Sequence, residues 1–405
     1  MSKITALTTL RLRTVPNILW LLIETDDGLT GLGEAWRGSS AVEAVIHDDM
    51  ASWLIGQDAR DIEKISRTFM TPYVGYHSSS AETRAASAVD VALWDLAGKR
   101  LGVPVYELLG GRSRESIPVY NTCSGYVFNT AANNFNSGST RREIKSTDTM
   151  VGPYDDQVAF MHDAGALAKS LVSEGYSGMK IWPFDVYAKK TGGQWISSTD
   201  IKKGLEPFRL IRDAVGDQIE VMCELQNLWI LPAAAEICRG LADYNIFWAE
   251  DPLCKMDDAK AILELKQKMA MPLCGCESLG SAVTFRQLLE KGCFDYVMMD
   301  LSWCGGMTEA LKISHLAEAF NVPVSPHDCT GPVLLMAGLH LSLHASNAIF
   351  QEVVRANIHG WYKDKVTNLP IIRDGQATLP YLPGLGTELR PELFEREDAI
   401  IRTTR

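Results

Sequence analysis

Glu224, Glu250 and Glu277 stand 26 and then 27 residues apart, each at the end of a short apolar run (220–225, 247–250 and 273–277). One glutamate in such a place is ordinarily a helix cap or a solvated loop residue. Three that converged would repel one another and be costly to desolvate. A hard divalent cation removes that cost, and an all-oxygen set suits Mg²⁺, one per chain with Mn²⁺ as a substitute, better than zinc. Other chemistry-bearing residues hold matching places. Lys180 and Trp182 close the run 178–182, Gln226 follows the run 220–225, and Asp300 closes 295–300. His327-Asp328 comes directly after 322–326, and Glu352 closes 349–352.

These runs need a frame that brings their ends together. Eight strand-like runs, 117–122 and the seven just named, alternate with helical patterns near 157–174, 200–215, 232–244, 257–269, 281–291, 306–320 and 331–344. Strand and helix alternating at this spacing mean parallel βα units, and eight in succession mean a closed barrel whose strand ends face one pocket. Ahead of the barrel, residues 1–115 read as an α+β module: strands at 4–13, 18–25 and 30–34, then helices at 41–55, 61–69 and 81–101. The barrel spans 116–365. Residues 366–405, rich in proline and glycine, show no full helix and are expected to return to the first module. The irregular stretch 124–156 follows the first barrel strand and is expected to be a lid on the catalytic face.

The 405 residues suit a barrel plus a second module. Hydrophobic residues at 46% and charged residues at 22% are the balance of a globular protein. A net charge of −11 argues against nucleic acid and anionic membrane as partners. Nine cysteines with no Cys-x-x-Cys pair argue against a disulfide framework or a zinc site, leaving reduced thiols in a cytoplasmic protein. No signal peptide is read, and the early apolar run 18–23 is far too short to span a membrane.

Several segments together carry a specific resemblance. Ala88-Val-Asp-Val-Ala-Leu-Trp-Asp-Leu-Ala-Gly-Lys99, Leu108-Leu-Gly-Gly111, Glu250-Asp-Pro252, Gly305-Gly-Met-Thr-Glu309 and Pro326-His327 are similar to those of the enolase superfamily, mandelate racemase subgroup, over essentially the whole chain. The resemblance implies an α/β fold, a (β/α)7β TIM-like barrel under an α+β cap built from N-terminal and C-terminal segments. It implies Mg²⁺ held by Glu224, Glu250 and Glu277, and removal of the proton next to a substrate carboxylate. His327 would be the base and Asp300 its partner, a carboxylate that fixes the tautomer and raises the basicity of the imidazole. Glu352 would hydrogen-bond the substrate carboxylate, and Lys180 would offset negative charge near the metal. The chain departs from the family's Lys-x-Lys motif: its second lysine, the other base of racemases, is Trp182 here. Racemisation by two opposed bases is therefore disfavoured, and the pattern resembles acid-sugar dehydratases that use the His-Asp pair alone.

The expected substrate is a small-molecule carboxylate, a sugar acid (aldonate or related), dehydrated to a 2-keto-3-deoxy acid. A cycloisomerase acting on an anhydro or lactone sugar acid is the alternative, and a catalytically silent sugar-acid sensor a more distant one. Metal hydrolases on barrels carry two histidines on the first strand, where this chain reads Tyr120-Asn121-Thr122. Trp36, Tyr76, His77, Asn121, Trp182 and Gln226 are the expected substrate contacts. A homo-oligomer is expected.

Overall fold

The computed structural model of the protein describes residues 2–71, 80–127 and 148–405. The chain opens with β1 (Ile4–Leu12), β2 (Ile18–Thr25) and β3 (Thr30–Trp36), paired antiparallel in sequence order, so that Trp20 stands opposite both Leu10 and Glu34. The helix Ala81–Leu101 packs on this sheet. Two glycines of β3 set how closely it packs. A Cβ on Gly31 would lie 2.2 Å from the carbonyl oxygen of Ala92, and one on Gly33 would lie 2.0 Å from that of Ala88. The alanine-rich helix face is the matching half of the contact, and Gly102, at φ 69°, ends the helix. The helix expected at 41–55 is instead three short pieces, with a π turn over Val45–Met50 between Ser39–Ala44 and Ala51–Leu54.

β4 (Ile117–Thr122), β5 (Gly178–Ile181), β6 (Glu220–Glu224), β7 (Ile246–Glu250), β8 (Leu273–Gly275) and β9 (Tyr296–Val297) pair in that order, all parallel. Single bridges continue from Val297 to Val324 and from Val324 to Ala348, and β10 (Gln351–Val353) pairs with β4. The ring closes at eight positions, and the fold is a TIM barrel with a cap. The seventh position is one bridge rather than the strand expected over 322–326. Pro323 and Pro326 flank Val324 there and have no N–H for a ladder. Helices join the strands at Asp156–Ser173, Ser198–Val215, Leu231–Leu241, Ala259–Lys266, Ala282–Leu289, Gly306–Ala319 and Pro332–His344. The short helix Asp185–Thr191 was not expected, since two turns carry too few residues to show a period.

Beyond the barrel, β11 (Ile371–Arg373) and β12 (Gln376–Thr378) form a hairpin against Ile117 and Pro118 of β4, and β13 (Ala399–Thr404) pairs with β1. Inside the barrel, Tyr120, Met222, Trp248, Cys274 and Met298 form a packed layer of buried side chains. All nine cysteines are free thiols, and all but Cys254 are buried. Among the described residues no helix is long and apolar enough to cross a membrane. Of the stretch 124–156, residues 128–147 lie outside the described residues.

Candidate active site

Parallel pairing sets Glu224 directly beside Glu250, the last residues of β6 and β7. Glu277 lies two residues beyond β8. One carboxylate oxygen from each of the three lies within 4.8 Å of the others. Glu224 and Glu250 are closed off from water, and Glu277 is half-buried. Burial pushes Glu224 up to about 8 and Asp251 likewise to about 8; burial, and then the neighbouring Glu224, drives Glu250 well above the carboxylate range. Glu224 Oε1 accepts from the N–H of Gln226 at 2.5 Å, while Oε2 has no hydrogen-bond partner among the described residues. Three carboxylates, two buried and one half-buried, with a Glu224 oxygen that no hydrogen bond claims, fit a divalent cation of the Mg²⁺ kind.

Lys180, at the end of β5, reaches into this set. Its ammonium pairs with Glu250, with Glu352 at 2.9 Å and with Glu224 at 3.5 Å, and it lies over the Tyr120 ring at 5.7 Å. Burial opposes its charge, but Glu250 and Glu352 more than offset that, and the lysine is held well above its ordinary range. Trp248, in the layer below, donates its indole N–H to Glu250 Oε2 at 2.9 Å and so fixes the carboxylate from beneath.

Opposite the carboxylates, His327 Nδ1 meets Asp300 Oδ2 at 2.6 Å. The other oxygen of Asp300 accepts from the N–H of Ser302 at 2.6 Å. With Nδ1 turned to a carboxylate, Nε2 is the nitrogen left to exchange a proton. Nε2 lies 3.0 Å from Glu277 Oε2 and 3.9 Å from Glu352 Oε2. Burial works against a charged imidazole, but Glu277, Glu352 and Asp300 overcome it, so His327 titrates well above its ordinary range. The indole of Trp303 stacks on the imidazole at 5.6 Å and 19°, and Trp36 from β3 packs on Trp303 at 5.2 Å.

Glu352, in β10, completes the ring of carboxylates. Its Oε1 accepts from the Thr122 hydroxyl and from Lys180, and its Oε2 from the N–H of Asp328 at 3.0 Å. The resemblance implied a hydrogen bond from Glu352 to a substrate carboxylate; here both of its oxygens act as acceptors.

Glu224, Glu250, Glu277, Lys180, Asp300, His327 and Glu352 thus form one connected cluster, which Trp36 joins through Trp303. The other expected contacts fare unequally. Trp182 is buried edge-on against Phe160 at 5.4 Å. Gln226 is half-buried on a left-handed backbone, φ 57°. Asn121 spends its side chain elsewhere: it donates to Asp156 at 2.9 Å and accepts from the N–H of Arg355 at 2.9 Å. Tyr76 and His77 lie outside the described residues. Sequence reading missed Thr122 and Trp303. Thr122 ends the first barrel strand, the same kind of position that singled out the glutamates, but a hydroxyl there carried no signal of its own. Trp303 sits in a glycine-rich turn, where no period marks a side chain as facing the pocket.

Comparisons with known proteins bear on this geometry. Residues 5–110 match the family described as mandelate racemase / muconate lactonizing enzyme, N-terminal domain, and residues 163–393 match the enolase C-terminal domain-like family. A D-galactonate dehydratase of Ralstonia nicotianae is 31% identical over 396 residues, covering 96% of this chain and 92% of that protein. One from Pectobacterium atrosepticum is 30% identical over 398 residues, covering 96% and 93%. Among solved structures, an enolase protein from environmental sequencing of the Sargasso Sea superposes with a TM-score of 0.88 at 50% identity, covering 100% of this chain and 99% of that one. An enolase of the mandelate racemase subgroup from Agrobacterium tumefaciens superposes with a TM-score of 0.87 at 42% identity, covering 99% and 98%.

Proposed function

The chain belongs to the enolase superfamily, in its mandelate racemase subgroup, and on that footing we propose that it is a hydro-lyase that dehydrates a sugar acid, an aldonate or close relative, to a 2-keto-3-deoxy acid. The observation that carries the reading is the imidazole held by Asp300 at 2.6 Å, whose other nitrogen lies 3.0 Å from Glu277 in the carboxylate cluster. Where a racemase would present a second base, this chain has Trp182, buried and without a titratable group. One base suits a reaction that removes a proton from carbon and does not return it to the other face.

Glu224, Glu250 and Glu277 would hold Mg²⁺, which supplies positive charge to the substrate carboxylate as C2 becomes electron-rich. In its neutral form, His327 takes the C2 proton at Nε2. The C2–H electron pair then forms the C2–C3 double bond as the 3-hydroxyl departs. The departing oxygen takes a proton from the charged His327 and leaves as water, and the enol tautomerises to the 2-keto-3-deoxy acid. Asp300 holds the imidazole in the tautomer that accepts at Nε2 and stabilises the cation that forms. Lys180 keeps a positive charge among three carboxylates, and Thr122 and Asp328 hold Glu352 at the edge of the pocket.

The test is a panel of acid sugars incubated with the protein and Mg²⁺, read as 2-keto acid by semicarbazone absorbance and product NMR. A 2-keto-3-deoxy acid from at least one aldonate-type substrate is expected. A ring-opened, ring-closed or epimerised product without loss of water would remove the dehydratase reading.

A further inference from the structure

The helix Gly306–Ala319 leads away from Asp300, and the helix Pro332–His344 leads away from His327. Both start on glycines, Gly305 and Gly331, that have no side chain with which to cap them. A helix start leaves its first N–H groups unpaired, and a side-chain acceptor ordinarily satisfies the second or third of them. Here the acceptors come from the first module. Asp90, on the helix Ala81–Leu101, accepts from the N–H of Thr308 at 2.9 Å, and Glu34, on β3, accepts from the N–H of Leu334 at 3.1 Å. Thr308 and Leu334 are each the third residue of their helix.

The fit is steric as well as polar. A Cβ on Gly306 would fall 2.5 Å from Asp90 Oδ1, and a Cβ on Gly331 would fall 2.1 Å from Glu34 Oε1. The carboxyl groups fill the space those glycines leave. Trp20 donates to the second oxygen of Glu34 at 2.6 Å, and Ser87 accepts from the N–H of Gly305 at 3.1 Å. Both acids are buried, which raises Glu34 to about 8 and Asp90 to about 7. Short stretches of chain tie each capped helix to its half of the pair. Trp303 and Cys304 both donate their N–H groups to the carbonyl of Asp300, and Trp36 donates its N–H to Ser302 at 2.9 Å. Only three residues separate His327 from Gly331.

We infer that Glu34 and Asp90 are positioning residues for the His327–Asp300 pair: the cap module supplies, from outside the barrel, the N-terminal caps of the two helices that follow the base and its partner. This rests on the reading of that pair as the proton-transfer machinery. It gives a use to the Asp90 helix motif and to the glycine pair at 305–306, neither of which touches the cluster.

The test compares variants that keep or remove the acceptor. Asp90→Asn retains the oxygen that Thr308 needs and is expected to keep most of the turnover. Asp90→Ala is expected to lower kcat by about 10- to 100-fold, the scale of a displacement of about 1 Å at a reacting group, with KM and Mg²⁺ affinity little changed. Gly331→Ala drives a methyl group against Glu34 and is expected to lower kcat in the same way, and Glu34→Asp in the Gly331→Ala background, by making room, should restore part of it. This second pair perturbs the contact from the barrel side and stands alone if Asp90→Ala does not fold. A readout independent of turnover is the ¹⁵N spectrum of His327, assigned by its loss in His327→Asn, whose ring shifts should move in Asp90→Ala and in Gly331→Ala. Folded variants with wild-type kcat and an unmoved His327 would overturn the inference. Absence of dehydration in the wild-type protein would sink the proposed function instead and leave the spectrum to decide the positioning role.

Discussion

Replacing Arg355 with methionine is expected to destabilise the protein in a pH-dependent way. Arg355 is 1% exposed and holds Asp156 through two bonds of 2.7 and 2.8 Å, Glu174 at 2.6 Å and Ser170 at 3.0 Å. Its backbone N–H donates to Asn121, so the network joins β4 to the residues just beyond β10 and Glu352. Burial raises Asp156 from its ordinary 3.8 to about 6, even against the pull of Arg355. A carboxyl raised on folding stabilises the fold fully below its unfolded value and loses that contribution as pH climbs through its folded value. For Asp156 the window runs from 3.8 to about 6 and is worth about 3 kcal/mol at ~1.36 kcal/mol per pH unit. Without Arg355 the folded value moves higher still. The variant then goes on losing stability above pH 6, where the wild-type protein has levelled off. The deficit should be about 1 kcal/mol near pH 5, where Asp156 is mostly protonated, and about 3–5 kcal/mol at pH 8, the cost of an unpaired buried charge. Urea unfolding midpoints followed by tryptophan fluorescence at pH 5, 6, 7 and 8 measure it. A deficit of the same size at every pH, or one below about 1 kcal/mol at pH 8, would show that the network does not hold a buried carboxylate.

Other expectations concern the cluster itself. Mg²⁺ at about 100 times its Kd should stabilise the metal-free protein by about 2.7 kcal/mol, seen as a rise in melting temperature that Glu250→Gln abolishes; an equal rise in that variant would place the ion elsewhere. Trp182→Ala should cost about 3–5 kcal/mol from the cavity it leaves yet keep exchange of the C2 proton with solvent. Loss of exchange in folded Trp182→Ala protein that still binds substrate would mean that Trp182 matters to proton transfer. Asp300→Asn should lower turnover less than removal of His327 does, because the imidazole remains; kinetics giving the reverse order would contradict the roles given to the pair.

The barrel was legible because βα alternation is a long-range pattern repeated eight times, and because strand ends in such a fold must share a face. That let Glu224, Glu250, Glu277, Lys180, Asp300, His327 and Glu352 be picked out together, although none is distinctive alone. Features set by a few local contacts escaped. Val324 stands as a single bridge because prolines remove donors on either side, which shortens a run that looks apolar and continuous. Asn121 looked like a pocket residue by position, but the partners that claim it, Asp156 and Arg355, lie 35 and 234 residues away. Trp303 meets His327 only through the turn after β9. The capping of two barrel helices by Glu34 and Asp90 spans more than 200 residues in each case, and no local pattern encodes it.

The most direct measurement of the central claim is C2-proton exchange in D₂O, followed by NMR on a substrate of the wild-type protein, in His327→Asn. Asparagine can keep a hydrogen bond to Asp300 but cannot carry a proton at neutral pH. Exchange and dehydration should both fall by at least about 10²- to 10⁴-fold, with Mg²⁺ and substrate binding nearly intact, because no titratable group stands at Trp182 to take over. Exchange at the wild-type rate in His327→Asn would contradict the assignment of His327 as the base.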